Sequence, residues 1–389
     1  MKQDKNLWVL VLVCIINSLG FGIIVPVLYS YGKQYGVTGE ILGILTASFS
    51  VAQFFATPVL GSLSDKYGRK PLLIISLAGT CLSFMMFAWA SSIFMLFAAR
   101  VLDGLTGGNV SVAQAMVSDT ATPQNRAKKF GILGSAFGFG FVIGPAIGGL
   151  LNKFGPQVPF FFAAGISLIG TLCTIFLLKE TNLPETRNTT AESGFNFSAL
   201  ITTLKRPVIG TAVFTGFMLT MAQFTMIIGF QTFSVDVLKI TPTQIGILYA
   251  GFGISGIIMQ LSVPLLTKWI SSKATILVLS TTLCMAAMFV TGLTNNFIPF
   301  VTGICIYGLF NGLRNPMINA IIADHIKHNE QGKILGINQS YNSIGQTLGP
   351  VTAGFAALIT AHSIFFLSSC YILFALLLSF RLKHKSIKP

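Results

Sequence analysis

The sequence predicts an all-α membrane protein with twelve transmembrane helices in two pseudo-symmetric halves of six. Three observations lead to this class. Hydrophobic residues make up 53% of the 389 residues and charged residues only 9%, whereas soluble domains carry about 25% charged residues. Apolar runs recur along the whole chain, and the second half of the sequence repeats a pattern of the first.

Each apolar run is long enough to cross the hydrocarbon core of a bilayer, which is about 30 Å thick. The first run follows Lys2 and Lys5, but it is too long for the core of a signal peptide and lacks a small-residue cleavage site, so we interpret it as a spanning helix. In chain order the twelve runs are 7–29, 41–60, 72–91, 93–117, 130–152, 158–178, 208–232, 243–266, 274–293, 297–323, 333–358 and 363–380.

Lysine and arginine fall unevenly between the spans. With the N-terminus inside, 20 of the 25 lie on the cytoplasmic side, and only Lys33, Lys153 and Lys239 lie outside. The formal net charge of +14 is therefore a signal of topology, and no nucleic-acid partner is expected. We predict a multi-pass protein of the cytoplasmic (inner) cell membrane with both termini in the cytoplasm.

An internal repeat relates the two halves. A shift of 205 residues aligns "KKFGILGSAFGFGFVIGPAIGG" with "KILGINQSYNSIGQTLGPVTAG", and a shift of 203 aligns "VTGEILGIL" with "ITPTQIGIL". The longest hydrophilic connection lies between the sixth and seventh spans. We therefore predict an N-terminal half over 1–179, a cytoplasmic linker over 180–207 and a C-terminal half over 208–389. Parallel repeats of this kind are typical of secondary transporters, which bind substrate between the halves near the midplane.

The fifth span contains "GFGFVIGPAIGG", an unusual concentration of glycine for a helix. Gly140, Gly144 and Gly148 are four residues apart, so they form one smooth stripe that a neighbouring helix can approach closely, and Pro145 adds a bend. This stripe serves either as a pivot between helices or as plain tight packing. Gly349 and Pro350 occupy the repeated positions in the second half.

The loop "GSLSDKYGRKP" follows the second span. Gly61 and Gly68 permit a tight reversal, Asp65 can bind helix N-terminal amides or an arginine, and Arg69 can hold neighbouring groups. Such a clasp would close the cytoplasmic side; the alternative is a simple anchor of the loop. The equivalent loop of the second half places Lys268 opposite Asp65, so the gate is predicted to be asymmetric.

Three ionisable residues lie deep within spans: Arg100, Asp103 and Arg314. Embedded charges cost about 2.5 kcal/mol or more each, so a functional role is the default hypothesis. Arg100 and Asp103 share a helix face and can pair. Asp103 is the candidate proton carrier, and the alternative is a static ion pair. Arg314 either faces the substrate cavity and binds an anionic group, or is satisfied by backbone carbonyls.

Amides form two polar stripes in the second half, one on the tenth span and one on the eleventh. Such stripes either join helices by hydrogen bonds or line a wet cavity. The seventh span adds glutamine among phenylalanine and methionine side chains, which can repack around varied apolar ligands.

Four motifs together resemble the drug/proton antiporter branch of the major facilitator superfamily: the fifth-span stripe, the loop after the second span, "RVLDGLTGG" and "LGFGIIVPVL". The tetracycline/proton antiporters and their multidrug relatives are the most similar members. The resemblance implies alternation between inward-facing and outward-facing states, driven by a proton gradient. Tetracycline antiporters carry embedded aspartates where this chain has Asn17 and Ser83, which argues against metal-chelated tetracycline as the substrate.

These observations together predict the site residues. The proton-coupling pair is Asp103 with Arg100; the substrate-cavity candidates are Asn17, Gln223, Phe230, Asn311, Arg314, Asn315, Asn338 and Asn342; the gating candidates are Gly61, Asp65, Gly68, Arg69, Gly140, Gly144, Pro145, Gly148, Gly349 and Pro350.

The predicted function is proton-coupled efflux of an amphipathic organic compound or drug by alternating access. The expected partners are this small-molecule substrate, protons and the lipid bilayer, and the protein is expected to be a monomer. No catalytic residues, cofactor or metal are expected, because the chain has no nucleotide-binding loop and its six cysteines lack the spacing of a zinc site. The alternatives are a transporter of an anionic metabolite or lipid-like molecule, and a non-transporting receptor on the same scaffold.

Overall fold

All twelve predicted runs are largely helical in the computed structural model, which describes residues 2–122, 125–182, 197–270, 272–326 and 331–387. The α-helices are α1 (Lys2–Gly32), α2 (Gly39–Tyr67), α3 (Arg69–Ala88), α4 (Ile93–Thr106), α5 (Asn109–Thr120), α6 (Arg126–Leu151), α7 (Val158–Leu177), α8 (Phe197–Leu204), α9 (Ile209–Asp236), α10 (Pro242–Leu261), α11 (Val263–Trp269), α12 (Lys273–Leu293), α13 (Phe297–Asn311), α14 (Arg314–Asp324), α15 (Gln331–Ala357) and α16 (Ala361–Ile387).

Among the described residues, 11 helical stretches are long and apolar enough to cross a membrane. The predicted run that is not among the 11 is the eleventh in chain order, 333–358, which forms α15, a helix of 27 residues. Its amides, Asn338, Gln339, Asn342 and Gln346, make it more polar than the other spans. The predicted all-α membrane class is confirmed, and α15 is the span whose composition departs most from a lipid-facing helix.

Two spans are interrupted at equivalent positions of the repeat. The fourth span breaks at Gly107–Gly108, between α4 and α5, and the tenth breaks at Gly312–Leu313, between α13 and α14. A shift of 205 residues carries Gly107 onto Gly312. The repeat therefore extends from the sequence to a specific irregularity of the backbone.

The chain divides into two compact units. One consists of Met1–Val37, Ser48–Phe195 and Thr241–Ala250; the other consists of Thr38–Ala47, Asn196–Ile240 and Gly251–Pro389. Each unit thus includes about ten residues from the opposite half of the sequence, and these two segments are the pair aligned by the shift of 203. Half of the predicted linker, residues 183–196, lies outside the described residues. The proposed boundaries of the two halves remain predictions.

Equivalent helices pack in equivalent ways within each unit. In the first, α1 packs mainly against α6 and α7, and α3 packs against α7 and α4. In the second, α9 packs against α15 and α16, and α12 packs against α16 and α13. The first core includes Leu10, Leu73 and Met116, whereas the second contains the aromatic rings of Phe233 and Phe300, with centroids 5.0 Å apart. The two units therefore share the same arrangement of helices but differ in the side chains that fill their cores.

Candidate functional site

The embedded residues Arg100 and Asp103 are both buried on α4, with exposed fractions of 4% and 7%. The Arg100 guanidinium lies over two aromatic rings, 5.4 Å from the centroid of Phe87 and 5.7 Å from that of Phe49. Within the described part of the chain, no carboxylate oxygen lies within 4.0 Å of Arg100, and its Nε is buried without an acceptor. The expected direct ion pair is therefore absent there, and cation–π contacts hold the guanidinium instead.

Further polar groups surround the break between α4 and α5. The Gln53 Nε2 donates a hydrogen bond of 3.0 Å to the carbonyl oxygen of Gly107, an acceptor at the break. Asn109 opens α5 and is fully buried; its Nδ2 donates to the Oδ1 of Asn17 at 3.2 Å, while its own Oδ1 has no donor. Asn17, predicted as a cavity residue, thus contacts the helix that carries the break.

The glycine stripe of α6 faces α1. A Cβ atom added to Gly144 would lie 2.9 Å from the Cα of Gly22, and one added to Gly140 would lie 2.8 Å from the carbonyl oxygen of Ile15. One added to Gly148 would lie 2.9 Å from the Cα of Ile23. These separations are too short for any side chain, so the stripe is the surface on which α1 and α6 make backbone contact.

A second close contact of α6 is made with the start of α10. A Cβ atom on Gly246 would lie 3.0 Å from the Cα of Gly149 and would collide with the carbonyl oxygen of Pro145. The hydroxyl of Thr243 also donates to the carbonyl oxygen of Gly149 at 2.7 Å. Helix α6 therefore packs on two neighbours through two different glycine faces.

The second unit repeats this contact with other residues. A Cβ atom on Gly43, in the second turn of α2, would lie 2.8 Å from the Cα of Gly354 on α15 and would collide with the carbonyl oxygen of Pro350. Gly43 and Gly354 are the repeats of Gly246 and Gly149. The alignment of the two halves already paired these glycines, but only the folded structure shows that they are contact points between helices.

On α15, the predicted gating residue Gly349 packs on α9. A Cβ atom on Gly349 would lie 2.8 Å from the carbonyl oxygen of Met221, and one on Gly345 would lie 3.0 Å from that of Phe217. The Thr225 hydroxyl donates to the carbonyl oxygen of Gly349 at 3.1 Å. The α9–α15 contact is therefore the counterpart of the α1–α6 contact.

The loop between α2 and α3 reverses at one glycine. Gly68 has φ +110°, a conformation that other residues rarely adopt. Gly61, by contrast, lies inside α2, where an added Cβ would meet nothing within 4 Å. The Arg69 guanidinium bridges two acids, Asp65 at 2.6 Å and Asp119 at 3.2 Å. Asp65 thus pairs with the arginine four residues on, one of the two partners that the sequence suggested for it.

A carboxylate that sequence reasoning overlooked completes this loop. The side chain of Glu180, just after α7, accepts four backbone hydrogen bonds of 2.9–3.1 Å, from Arg69, Lys70, Thr181 and Asn182. Two of these donors open α3, whose own N-cap residue is a glycine and contributes no side-chain bond. Glu180 therefore caps α3 from a distant part of the sequence.

The next residues extend the same attachment. Asn182 is buried, and its Nδ2 donates to the carbonyl oxygens of Asp65 at 2.8 Å and Ser64 at 3.3 Å, at the end of α2. The Thr181 hydroxyl donates to Asp119 at 2.9 Å. The segment 180–182, the first residues of the predicted linker, thus binds to the reversal between α2 and α3. The sequence does contain a signal for this contact, since an acidic residue directly after the sixth span can bind the basic loop after the second span.

The second half forms an ion pair at the corresponding place. The Nζ of Lys273, at the start of α12, lies 2.6 Å and 2.8 Å from the two carboxylate oxygens of Asp324, at the end of α14. Asp324 is the repeat of Asp119. The loop itself lacks an acid, as the sequence indicates, yet a pairing like Arg69–Asp119 persists because the acid comes from the neighbouring span.

The remaining embedded cation, Arg314, opens α14 and is partly buried. Its Nη1 donates to the carbonyl oxygen of Leu219 on α9 at 3.1 Å, and its Nε is buried without an acceptor. No carboxylate lies within 4.0 Å of Arg314 among the residues that the structure describes. The Leu219 carbonyl oxygen therefore accepts one of the hydrogen bonds that Arg314 can donate. Within the described residues, no carboxylate neutralises the positive charge of Arg314.

The amides of the second half join three helices. Asn338 Nδ2 donates to Asn319 Oδ1 at 3.2 Å, between α15 and α14, and the Thr220 hydroxyl donates to Asn342 Oδ1 at 2.9 Å, between α9 and α15. The Oδ1 of Asn338 is buried without a donor. The stripes thus form interhelical hydrogen bonds and also retain an unused acceptor.

Four other predicted cavity residues differ in exposure. Phe230 is 1% exposed and packs against Phe300, with ring centroids 5.4 Å apart, so little of its surface is open in this conformation. Asn315 is exposed, and Gln223 and Asn311 are partly buried. The described residues contain no group of three or more His, Cys, Asp or Glu able to hold a metal ion.

Comparison with known proteins accounts for this arrangement. The sequence profile of the Major Facilitator Superfamily matches residues 10–350 and 213–389. The chain is 28% identical over 363 residues to the class H tetracycline resistance protein of Pasteurella multocida, covering 91% of this chain and 89% of that protein. It is 29% identical over 372 residues to multidrug resistance protein 2 of Bacillus subtilis, covering 93% and 91%.

The fold agrees with this match. The crystal structure of a bacterial homologue of the human lysosomal transporter Spinster superposes with a TM-score of 0.78 at 13% identity, covering 100% of this chain and 97% of that one. The four motifs, the twelve-run pattern and the repeated packing scheme all have the same explanation: the chain is a membrane transport protein of the Major Facilitator Superfamily.

Proposed function

We propose that this protein exports an amphipathic organic compound in exchange for protons, by alternating access across the cytoplasmic membrane. Relatives named for tetracycline and multidrug resistance support export of a drug-like molecule. The observation that carries proton coupling is the burial of Asp103 within a span, at 7% exposure. Every other acid whose side chain is described lies at a helix end or in a loop: Glu40, Asp65, Asp119, Glu180, Asp236 and Asp324.

The surroundings of Asp103 suit a group that changes protonation. Arg100 is one helical turn away and is held by Phe49 and Phe87 rather than by the carboxylate. Because the guanidinium is held by rings of other helices, a small movement of α4 can change the distance between the guanidinium of Arg100 and the carboxylate of Asp103. A change in this distance changes the affinity of Asp103 for a proton. Antiport requires such a link, because proton and substrate must favour opposite states of the carrier.

Alternation requires contacts that form in one state and break in the other. The predicted topology places the start of α2 and of α10 on the extracellular side. We propose that the Gly43–Gly354 and Gly149–Gly246 contacts are the extracellular seals, which separate when the transporter opens outward. Each joins helices from opposite halves of the sequence, glycine backbone against glycine backbone, and the Gly149–Gly246 contact adds the hydrogen bond from the Thr243 hydroxyl to the Gly149 carbonyl oxygen.

On the cytoplasmic side, the loop around Gly68 would provide the complementary closure. Asp65 and Arg69 pair with each other and with Asp119 in this conformation. We propose that this cluster, anchored by Glu180, changes its pairing when the cytoplasmic side closes. The glycine stripe of α6 would then be the surface on which α1 slides or pivots.

The same proposal includes the expected setting. Both termini are cytoplasmic, the protein acts as a monomer, and its partners are the exported compound, protons and lipid. Membership of a transporter family favours transport over the alternative of a receptor on the same scaffold.

Purified protein in proteoliposomes tests the function directly. An imposed pH gradient should drive accumulation of at least one compound from a panel of amphipathic dyes and drugs, and a protonophore should abolish it. One charge moving across 100 mV supplies about 2.3 kcal/mol, enough for a roughly fifty-fold concentration ratio. Specific binding without gradient-driven accumulation of any compound would instead favour the receptor.

A further inference from the structure

The embedded cation Arg314 has no role in the proton or gate chemistry described above. It lies within the tenth span, at the start of α14, and its neighbours in sequence include the buried apolar residues Leu313, Met317 and Ile318. A charge at such a depth is costly unless an opposite charge or a set of hydrogen bonds compensates it. The question is what compensates Arg314.

The protein supplies little compensation in the part of the chain that the structure describes. There the guanidinium donates one hydrogen bond, to the Leu219 carbonyl oxygen at 3.1 Å, and its Nε is buried without an acceptor. Arg69 and Lys273, by contrast, each contact a carboxylate at 2.6 Å. Those two cations lie at the ends of membrane spans, where compensation is needed least, whereas Arg314 lies within a span. Arg314 therefore carries one unneutralised positive charge where neutralisation is worth most.

Neighbouring polar groups extend the surface available to a ligand. Thr220 and Asn342 form a hydrogen bond next to Leu219, and a Cβ on Gly216 would lie 3.3 Å from Asn338 Oδ1 and 3.6 Å from Asn342 Oδ1. The amides and the guanidinium thus approach the same turns of α9. Because Gly216 has no side chain, the amide oxygens of α15 remain close to the α9 backbone.

We propose that Arg314 binds a carboxylate of the transported compound, so that the preferred substrates are amphipathic monocarboxylates. This inference rests on the proposed transport function. A single uncompensated charge matches a single negative charge, and a carboxylate can accept two parallel hydrogen bonds from a guanidinium. Arg314 is itself only partly buried, so part of its side chain remains accessible to a ligand.

The test uses a matched pair of fluorescent probes, pyrenebutyrate and its primary amide, with the full-length protein in detergent. The wild type should bind the acid at least about tenfold more tightly than the amide, since a charge-assisted pair is worth about 1.5–3 kcal/mol. Arg314→Gln should abolish this preference, and Arg314→Lys, which keeps the charge, should retain part of it. Arg381→Gln, at an exposed position on α16, is the matched control and should leave the preference unchanged.

Equal binding of the acid and the amide by the wild type would overturn the inference, as would a preference that survives in Arg314→Gln. An Arg314→Gln protein that loses binding of both probes would be checked by its melting temperature; if it is folded, loss of both would also contradict a role specific to the carboxylate. Gradient-driven accumulation separates the two proposals. Accumulation of neutral compounds without a preference for the acid retains the transport function alone, whereas a preference for the acid without accumulation retains the carboxylate site alone.

Discussion

Gly43 and Gly354 meet backbone to backbone: a Cβ atom on Gly43 would lie 2.8 Å from the Cα of Gly354. The repeat forms the same contact between Gly246 and Gly149, at 3.0 Å. At both points the two helix backbones are already in contact, so neither glycine leaves room for a side chain. Both contacts should therefore be intolerant of even one added methyl group.

The first prediction follows from this contact. Gly43→Ala and Gly246→Ala should each disfavour the sealed state, because overpacking costs about 1–3 kcal/mol, and transport should fall by about tenfold or more. Transport is measured as the initial rate of gradient-driven uptake. Gly251→Ala is the matched control, because a Cβ there meets nothing within 4 Å. Wild-type rates in both test variants would refute the seals.

The second prediction concerns the contact between α1 and α6. Gly144→Leu should block transport while leaving membrane insertion intact, because a Cβ at this position would already lie 2.9 Å from the Cα of Gly22. Uptake and protease protection would be compared in the same vesicles. Gly134→Leu, on the same helix at an exposed position with open space, should transport normally. A correctly inserted Gly144→Leu protein with normal uptake would show that no close α1–α6 contact is needed.

The third prediction concerns the distant cap of α3. Glu180→Gln removes the charge that interacts with the start of α3 and weakens four hydrogen bonds, so the protein should lose about 1 kcal/mol of stability and its melting temperature should fall by about 2 °C. Thermal unfolding in detergent measures this. Lys153→Gln, for which the described residues provide no ion pair, is the control. An unchanged melting temperature in Glu180→Gln would mean that Glu180 contributes little to the loop.

The fourth prediction concerns the ion pair of the second half. Lys273→Asp and Asp324→Lys should each slow transport by about two- to fivefold, because a half-exposed pair is worth about 0.2–1 kcal/mol and reversal adds repulsion. The double variant should recover most of the rate, since it restores opposite charges. Additive losses in the double variant would indicate that the two residues act separately.

Sequence patterns predicted the fold class because lipid imposes strong constraints on composition. Apolar runs of spanning length, the uneven distribution of lysine and arginine, and the repeat identified twelve helices and two related halves. The breaks at Gly107 and Gly312 were not predicted, because glycine is common in membrane helices and no local feature distinguishes these glycines from the rest. The exchange of residues 38–47 and 241–250 between units also depends on tertiary packing.

The candidate site was predicted less completely. Spacing of four residues predicted the smooth face of Gly140, Gly144 and Gly148, since helix geometry fixes which residues share a face. It could not predict that Arg100 lies against Phe49 and Phe87, because that contact joins three helices. Glu180 was overlooked for the same reason: its partners at 69 and 70 are more than 100 residues away in the sequence.

The measurement that bears most directly on proton coupling compares wild type with Asp103→Asn in proteoliposomes. Asparagine keeps the shape of the side chain but cannot exchange a proton, so the variant should bind substrate and allow downhill exchange, yet fail to accumulate substrate against its gradient when a pH gradient is imposed. Asp236→Asn, at the end of α9, should accumulate substrate as the wild type does. Full pH-driven accumulation by Asp103→Asn would contradict the assignment of the coupling proton to Asp103.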